Sequence, residues 1–152
     1  MQKLLFPLLL SLLLLSCNNP RKGALSPESR GELYTWAISS LDTDKKYLKL
    51  AEKTAQMLEE AVNAPQDQQA MDIVTKFIFD NDLAITRISQ EFRGWHRYAE
   101  PEEVSSFAAL LNSQSYARRL RELVPMFRQR INYSEAWLRE FDAFINKLEI
   151  RR

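Results

Sequence analysis

The chain has 152 residues, of which 21 are Lys or Arg, 20 are Asp or Glu and one is His, giving a net charge of +1. This length suffices for one domain with a hydrophobic core, and the balanced charge provides no overall field that would attract nucleic acid. One cysteine cannot form an intrachain disulfide. A single histidine cannot supply the paired histidines of a di-iron bundle or a histidine cluster for zinc.

The first 16 residues have the layout of a signal peptide. Lys3 supplies a positive charge, and residues 4–15 form an apolar run that only Pro7 and Ser11 interrupt. A transmembrane helix needs about 20 apolar residues, and here polar residues follow without a second apolar run. We therefore predict that residues 1–16 direct export and are removed by cleavage.

Leu14, Leu15, Ser16 and Cys17 resemble the lipobox of bacterial lipoproteins. The resemblance implies cleavage before Cys17, a diacylglycerol thioether on its sulfur and a fatty acyl chain such as palmitate on the freed amine. Two or more acyl chains hold a protein stably at a membrane. The resemblance also implies the bacterial cell envelope, and Asn18 in place of aspartate favours the periplasmic face of the outer membrane. The alternative is an ordinary secretory signal with an incidental cysteine.

The mature chain divides into a tether and one domain. Residues 17–25 predict a short polar tether that carries the lipidated Cys17, because Pro20 and Gly23 interrupt it and no periodicity is present. Residues 26–152 predict a single all-α domain, since apolar residues recur at helical spacing and the chain has only three glycines. Four or five helices with short connections predict a small antiparallel bundle.

The first part of this domain predicts two helical stripes. Ser26 and Pro27 are a typical helix cap and first helical residue. The first stripe consists of Leu33, Trp36, Ala37 and Leu41. Residues 42–44 either cap a new helix or lie within a continuous one. The second stripe consists of Tyr47, Leu50, Ala51, Thr54, Leu58 and Ala61, and its helix is expected to end near Asn63.

A third helix is predicted over residues 67–93, with Gly94 as its C-terminal cap. Its inward side chains are predicted to be Met71, Val74, Ile78, Ile85, Ile88 and Phe92. Two ion pairs at i,i+4 spacing are expected on its outer face. They are Asp72 with Lys76 and Arg87 with Glu91.

The remaining helices are predicted from residue 101 onward. Pro101 begins a helix whose core-facing residues are predicted to be Val104, Phe107, Ala108 and Leu111. Residues 112–115 are a candidate break, after which the stripe continues through Tyr116, Leu120, Leu123, Val124 and Phe127. Pro125 either kinks this helix or divides it. A capping box of Asn132 and Glu135 is expected to begin the last helix, whose buried face comprises Trp137, Leu138, Phe141, Phe144, Ile145 and Leu148.

Catalytic and cofactor motifs do not stand out in this sequence. It has no glycine-rich phosphate loop, no Gly-x-Ser-x-Gly motif and no Cys-x-x-Cys-His haem attachment. Acidic residues 42–44 and 80–82 lack the glycine and distal glutamate of a calcium loop. We therefore expect no cofactor and no enzymatic activity, and a hydrolase that uses His96 ranks third among the functional hypotheses.

Two groups of residues are candidates for binding a partner. Trp95, Arg97 and Tyr98 follow the predicted helix end, and Trp, Tyr and Arg are enriched at interface hot spots. The alternative is that the aromatic rings cap the end of the bundle. The second group is the basic stripe, defined as Arg118, Arg119, Arg121, Arg128 and Arg130, of which the first three are the candidate contacts. The alternative for the stripe is a solvated or internally paired face.

The leading functional hypothesis is a non-enzymatic helical adaptor in an envelope complex. Its membrane contact is the lipid on Cys17, and its partner is an envelope protein rather than nucleic acid. The second hypothesis is a periplasmic carrier of lipid or another apolar ligand, which would bind between helices rich in Phe, Met and Leu.

Overall fold

A computed structural model describes residues 32–148 and shows an all-α fold with no strand in that range. The helices are α1 (Glu32–Ile38), α2 (Thr43–Asn63), α3 (Asp67–Tyr98), α4 (Pro101–Ser113), α5 (Ser115–Ile131) and α6 (Glu135–Leu148). The described part of the chain thus contains six helices rather than the predicted four or five. The difference arises because Asp42 caps a separate α2 and Gln114 separates α4 from α5.

Helix α2 lies at the centre and packs along α3 and α5, while α1 and α6 pack against α3. Its fully buried residues include Leu50, Thr54 and Leu58. Tyr116 near the start of α5 lies beside Glu52, and Arg130 near the end of α5 reaches the end of α2. Helices α2 and α5 therefore run in the same direction.

Helices α3 and α6 run in the opposite direction to α2. Lys46, in the first turn of α2, contacts Glu91 near the end of α3, so these two helices are antiparallel. Thr75 and Asp82 of α3 contact Glu140 and Lys147 of α6, respectively. One end of the bundle consequently brings together the start of α2 with the last turns of α3 and α6.

Most predicted core positions of α2, α3 and α6 are confirmed. The described core contains Leu50, Leu58, Met71, Val74, Ile85, Ile88, Phe141, Phe144 and Ile145. These helices bury one face because their apolar residues recur at three and four positions. The predictions that fall on Ser26, Pro27, the tether and Cys17 lie outside the described residues.

The predicted end of the third helix is wrong, because α3 continues through Gly94 to Tyr98. A glycine inside a helix costs only about 1 kcal/mol, and at this position a Cβ atom would meet nothing within 4 Å. The helix ends instead at Ala99, which has an extended backbone. Glu100 is also extended, as expected for a residue before a proline, since the ring of Pro101 disfavours helical geometry there.

Three further local predictions are corrected. Asn132 follows the end of α5 in helical geometry, and the carbonyl of Ser134 accepts the first hydrogen bond of α6, from Leu138. Lys76 pairs with Asp80 rather than with Asp72. Two residues that were predicted to lie in the core, Leu41 and Ala108, are exposed.

The failed core positions are Leu41 and Ala108, both of which are exposed. Leu41 lies between α1 and α2 rather than on a helix, and Ala108 lies on a face of α4 that no other helix covers. The expected pair of Arg87 and Glu91 is present at 3.0 Å. Pro125 lies within α5 and does not divide it.

A buried lysine connects three helices at the end where α2 begins. Nζ of Lys46 donates to the carbonyl of Ala37 at 3.2 Å and to Oε2 of Glu91 at 2.9 Å. Burial disfavours the ionised form of Glu91, but hydrogen bonds and charge from Lys46 and Arg87 outweigh it and hold the pKa of Glu91 below its ordinary value of 4.5. This contact fixes α1, α2 and α3 relative to one another.

At the other end of α2, Arg130 connects α5 to α2 and α3. Its guanidinium donates to the carbonyls of Ala61 and Val62 at 3.1 and 2.9 Å and to Asp67 at 2.8 Å. A cation at a helix C-terminus and an acid at a helix N-terminus both complement the helix dipole. The hydrogen bond from Arg130 also lowers the pKa of Asp67.

The substitution Gly94→Ala is expected to raise the free energy of unfolding by about 0.5–1 kcal/mol. Alanine has the higher helix propensity, and its Cβ has space at this position. Chemical denaturation followed by circular dichroism measures the change. The control is the reverse change, Ala143→Gly, on the exposed face of α6. It should lower the free energy of unfolding by a similar amount. A loss of stability in the Gly94→Ala variant would contradict the helical assignment of this residue.

Candidate functional site

Four aromatic rings form a cluster at the end of the bundle where α2 begins. Tyr47 stacks on Phe92 with 4.0 Å between ring centroids. Phe107 lies 4.9 Å from Phe92 and 5.6 Å from Trp95 by the same measure. Such ring pairs stabilise a structure by about 0.5–1.5 kcal/mol beyond their buried area. The cluster attaches α4 to α2 and α3, and Phe107 supplies the attachment.

The predicted contact residues Trp95, Arg97 and Tyr98 lie on the last turn of α3 rather than in a loop. Trp95 is half-buried and packs on Phe92 and Phe107, as in the alternative of a ring that caps the bundle. Arg97 is exposed, and Tyr98 has 81 % of its surface in solvent. Only Trp95 among the three therefore contributes to packing at this end.

Most of the basic stripe is engaged within the molecule. Arg119 pairs with Glu59 of α2, and Arg121 donates to the amide oxygen of Asn112 at 2.8 Å. The two other engaged arginines, Arg128 and Arg130, pair with Asp142 and Asp67, respectively. Arg118 alone in the stripe has no polar partner among residues 32–148. The stripe thus attaches α5 to its neighbours.

Helix α4 is rich in apolar residues and yet largely exposed. Phe107 is its one buried side chain, and Val104 and Leu111 are half-buried. Its exposed apolar residues are Ala108, Ala109 and Leu110. Leu110 has 43 % of its surface in solvent. These three consecutive residues lie about 100° apart around the helix and so do not form one face. Leu110, three positions from Phe107, extends the apolar surface at the side where Phe107 packs.

An open cleft of about 920 Å³ separates α4 from the start of α2 and the last turn of α3. We name it the end cleft and define it by its ten lining residues, which are Leu41, Asp42, Thr43, Asp44, Trp95, Glu102, Glu103, Ser106, Phe107 and Leu110. Apolar groups from three segments of the chain thus converge in it, and Trp95 is the one sequence-predicted contact residue among them.

Carboxylates make the end cleft acidic. Four of its ten lining residues are Asp or Glu, and none of the ten is Lys or Arg. The acids belong to the first turns of two helices, with Asp42 and Asp44 at α2 and Glu102 and Glu103 at α4. Acids are favoured at these positions because the N-terminus of a helix carries a partial positive charge.

Three of the four carboxylates are engaged with neighbours. Asp42 pairs with Lys45 at 3.0 Å, and Oε2 of Glu103 accepts the backbone N–H of Glu100 at 3.0 Å. Asp44 accepts a hydrogen bond from the backbone of Lys45. Lys45, which pairs with Asp42, also interacts with the charge of Asp44, whereas Glu102 has no cationic partner among residues 32–148. The end cleft therefore retains negative charge beside its apolar surface.

The sequence contains signals for both sides of this site but does not show that they belong together. Residues 42–44 are predicted either to cap a new helix or to lie within a continuous one, and in the fold a new helix, α2, begins at Thr43. The predicted helix start at Pro101 is confirmed. The sequence does not place the two helix starts side by side, because no local pattern specifies which helix ends meet. The exposure of Leu110 also depends on that tertiary arrangement.

Several possible roles find no support in the described part of the chain. Between residues 32 and 148, His, Cys, Asp and Glu side chains form no group of three or more that could hold a metal ion. No helix in this range is long and apolar enough to span a bilayer. Comparison with protein-family models, curated proteins and solved structures gives no match for this chain.

The substitution Phe107→Ala is expected to release α4 from the bundle. Removing a buried Phe costs about 3–5 kcal/mol, and α4 has no other buried side chain to hold it. Hydrogen exchange should therefore accelerate across residues 101–113 while α2 and α3 remain protected. The matched control is Leu110→Ala, one turn further along α4 and exposed, which should leave exchange nearly unchanged. Equal protection in both variants would show that Phe107 does not anchor α4.

Proposed function

We propose that this protein is a lipid-anchored, non-enzymatic adaptor of the bacterial envelope that binds a partner protein through α4 and the end cleft. Cys17, which lies outside the described residues, would carry the anchor. The observation that supports the adaptor is the exposed Leu110 of α4 at the edge of a cleft lined by Trp95 and Phe107. The outer membrane is the proposed location because Asn18 follows the proposed lipidated cysteine.

The composition of this surface agrees with a protein-binding role. Interface cores are enriched in aromatic residues and depleted in charge, and polar residues surround them. Here Trp95 and Phe107 lie at the centre, Leu110 extends the apolar area along α4, and carboxylates surround it. Because the aromatic side chains already pack against one another, binding would require little ordering of the surface.

A carrier of apolar ligands remains the second hypothesis, since the volume of the end cleft lies within the range of about 300–1,000 Å³ that is typical of small-molecule sites. The carboxylates argue against it. A lipid chain would lie beside Asp44 and Glu102, whose charge it cannot neutralise, and burying an unpaired charge is costly. The surface therefore favours a protein partner over a lipid.

Site-specific photocrosslinking in intact envelopes tests the adaptor. A benzophenone amino acid at Leu110 should yield a discrete protein adduct, because this side chain lies at the edge of the end cleft. The control is the same group at Met126, which is similarly exposed on α5. We expect an adduct at Leu110 and none of the same mass at Met126. Adducts with lipid alone at Leu110 would overturn the adaptor in favour of the carrier.

The anchor has an independent test in Cys17→Ala. Without the sulfur, the diacylglycerol cannot be attached, so we expect either a folded protein released from the membrane or an uncleaved precursor. Fractionation of envelopes and intact-mass measurement distinguish these forms from the lipidated chain. The control is Ser26→Ala, which leaves the lipobox unchanged and should remain lipidated. A cleaved Cys17→Ala chain that stays stably at the membrane would exclude the lipid as its anchor.

A further inference from the structure

We propose that the segment that occupies the end cleft is a cationic amphipathic stretch of the partner protein, with Lys or Arg on one side and large apolar residues on the other. The inference rests on the proposed adaptor function and specifies the chemistry of its partner. It depends on two properties of the end cleft, which are its apolar surface and its net charge.

The apolar part of the lining comes from separate parts of the fold. Leu41 contributes from the α1–α2 connection, Trp95 from α3, and Phe107 and Leu110 from α4. Phe107 and Leu110 are three positions apart and therefore lie on the same side of their helix. An occupant with apolar side chains at helical spacing would match such a groove.

The charge of the end cleft is negative even after the helix dipoles are included. The starts of α2 and α4 each contribute a partial charge of about +0.5, so together they offset about one of the four carboxylates. Lys45 offsets a second through Asp42. About two negative charges therefore remain, divided between the α2 wall, where Lys45 acts on both Asp42 and Asp44, and the α4 wall, where Glu102 has no cationic partner in the described chain. Cations of the occupant would complement both walls.

This charge selects among the classes of occupant. Anionic lipid and nucleic acid would be repelled by the carboxylates. A second copy of this chain could present its basic stripe, but four arginines of that stripe already have partners within the molecule. The arginines left without a partner in the described chain, Arg97 and Arg118, are single cations on different helices. A basic segment of a different protein therefore fits the end cleft best.

Peptide binding tests the charge preference directly. The probe is a labelled amphipathic helical peptide of leucine and lysine, and its counterpart has glutamate in place of lysine. The full-length lipidated protein in non-ionic detergent is titrated with each peptide, and fluorescence anisotropy measures the dissociation constant. We expect the lysine peptide to bind and the glutamate peptide to bind at least tenfold more weakly. Equal affinities would overturn the proposal.

A matched pair of double variants locates the effect. Asp44→Asn with Glu102→Gln removes two charges from the end cleft, and Glu60→Gln with Glu122→Gln removes two exposed carboxylates that have no cationic partner in the described chain. Both double variants change the net charge equally and share the same micelle, so micelle binding cancels. We expect the first pair to weaken lysine-peptide binding about fivefold and to reduce its salt dependence. Equal weakening in both double variants would show a nonspecific charge effect and overturn the proposal.

The adduct formed at Leu110 shows whether the cationic segment alone is wrong or whether the adaptor function is wrong as well. Mass spectrometry of the cross-linked fragment identifies the segment that contacts α4. A fragment rich in Lys or Arg supports the proposal. A partner fragment without basic residues overturns the cationic occupant and leaves the adaptor in place. An adduct with a second copy of this chain, or within one copy, overturns the cationic partner segment as well.

Discussion

Helix α2 must be buried along two sides at once, and the positions of the other long helices follow from this constraint. Leu50, Thr54 and Leu58 have almost no exposed surface, and small residues such as Ala55 and Ala61 let neighbouring helices approach closely. Helices α3 and α5 cover the two sides. Lys46 connects α2 to α3 at one end of α2, and Arg130 connects α5 to α2 at the other end. These contacts prevent α3 and α5 from sliding along α2.

The buried faces of the long helices could be predicted from the sequence, whereas the ends of the helices could not. Periodic apolar residues identify the buried faces of α2, α3 and α6 because each face repeats over several turns. Gly94 is a local signal for a helix end, but its cost inside a helix is small. The packing of Trp95 on Phe92 outweighs that cost, so the helix continues. For α4 the pattern predicted a buried face correctly at Phe107 but not at Ala108.

Charged residues were harder to interpret because their partners lie far away in the sequence. The basic stripe has the composition of an external binding face, yet Arg119 and Arg130 bind groups 60 or more positions away. The acids at the starts of α2 and α4 have the composition of ordinary helix caps, yet they meet across the end cleft. Local composition therefore describes what a charge can do, and only the fold determines which groups it faces.

The end cleft follows from the length of the connections around α4. Two residues, Ala99 and Glu100, separate α4 from α3, and Gln114 alone separates it from α5. These short connections keep α4 close to the end of the bundle, where α3 stops and α5 begins beside α2, and Phe107 holds it packed there. Phe107 reaches the aromatic cluster, but Leu110 stays at the surface. The uncovered apolar area is thus built into the chain's connectivity, so a partner could cover it without unfolding any part of the bundle.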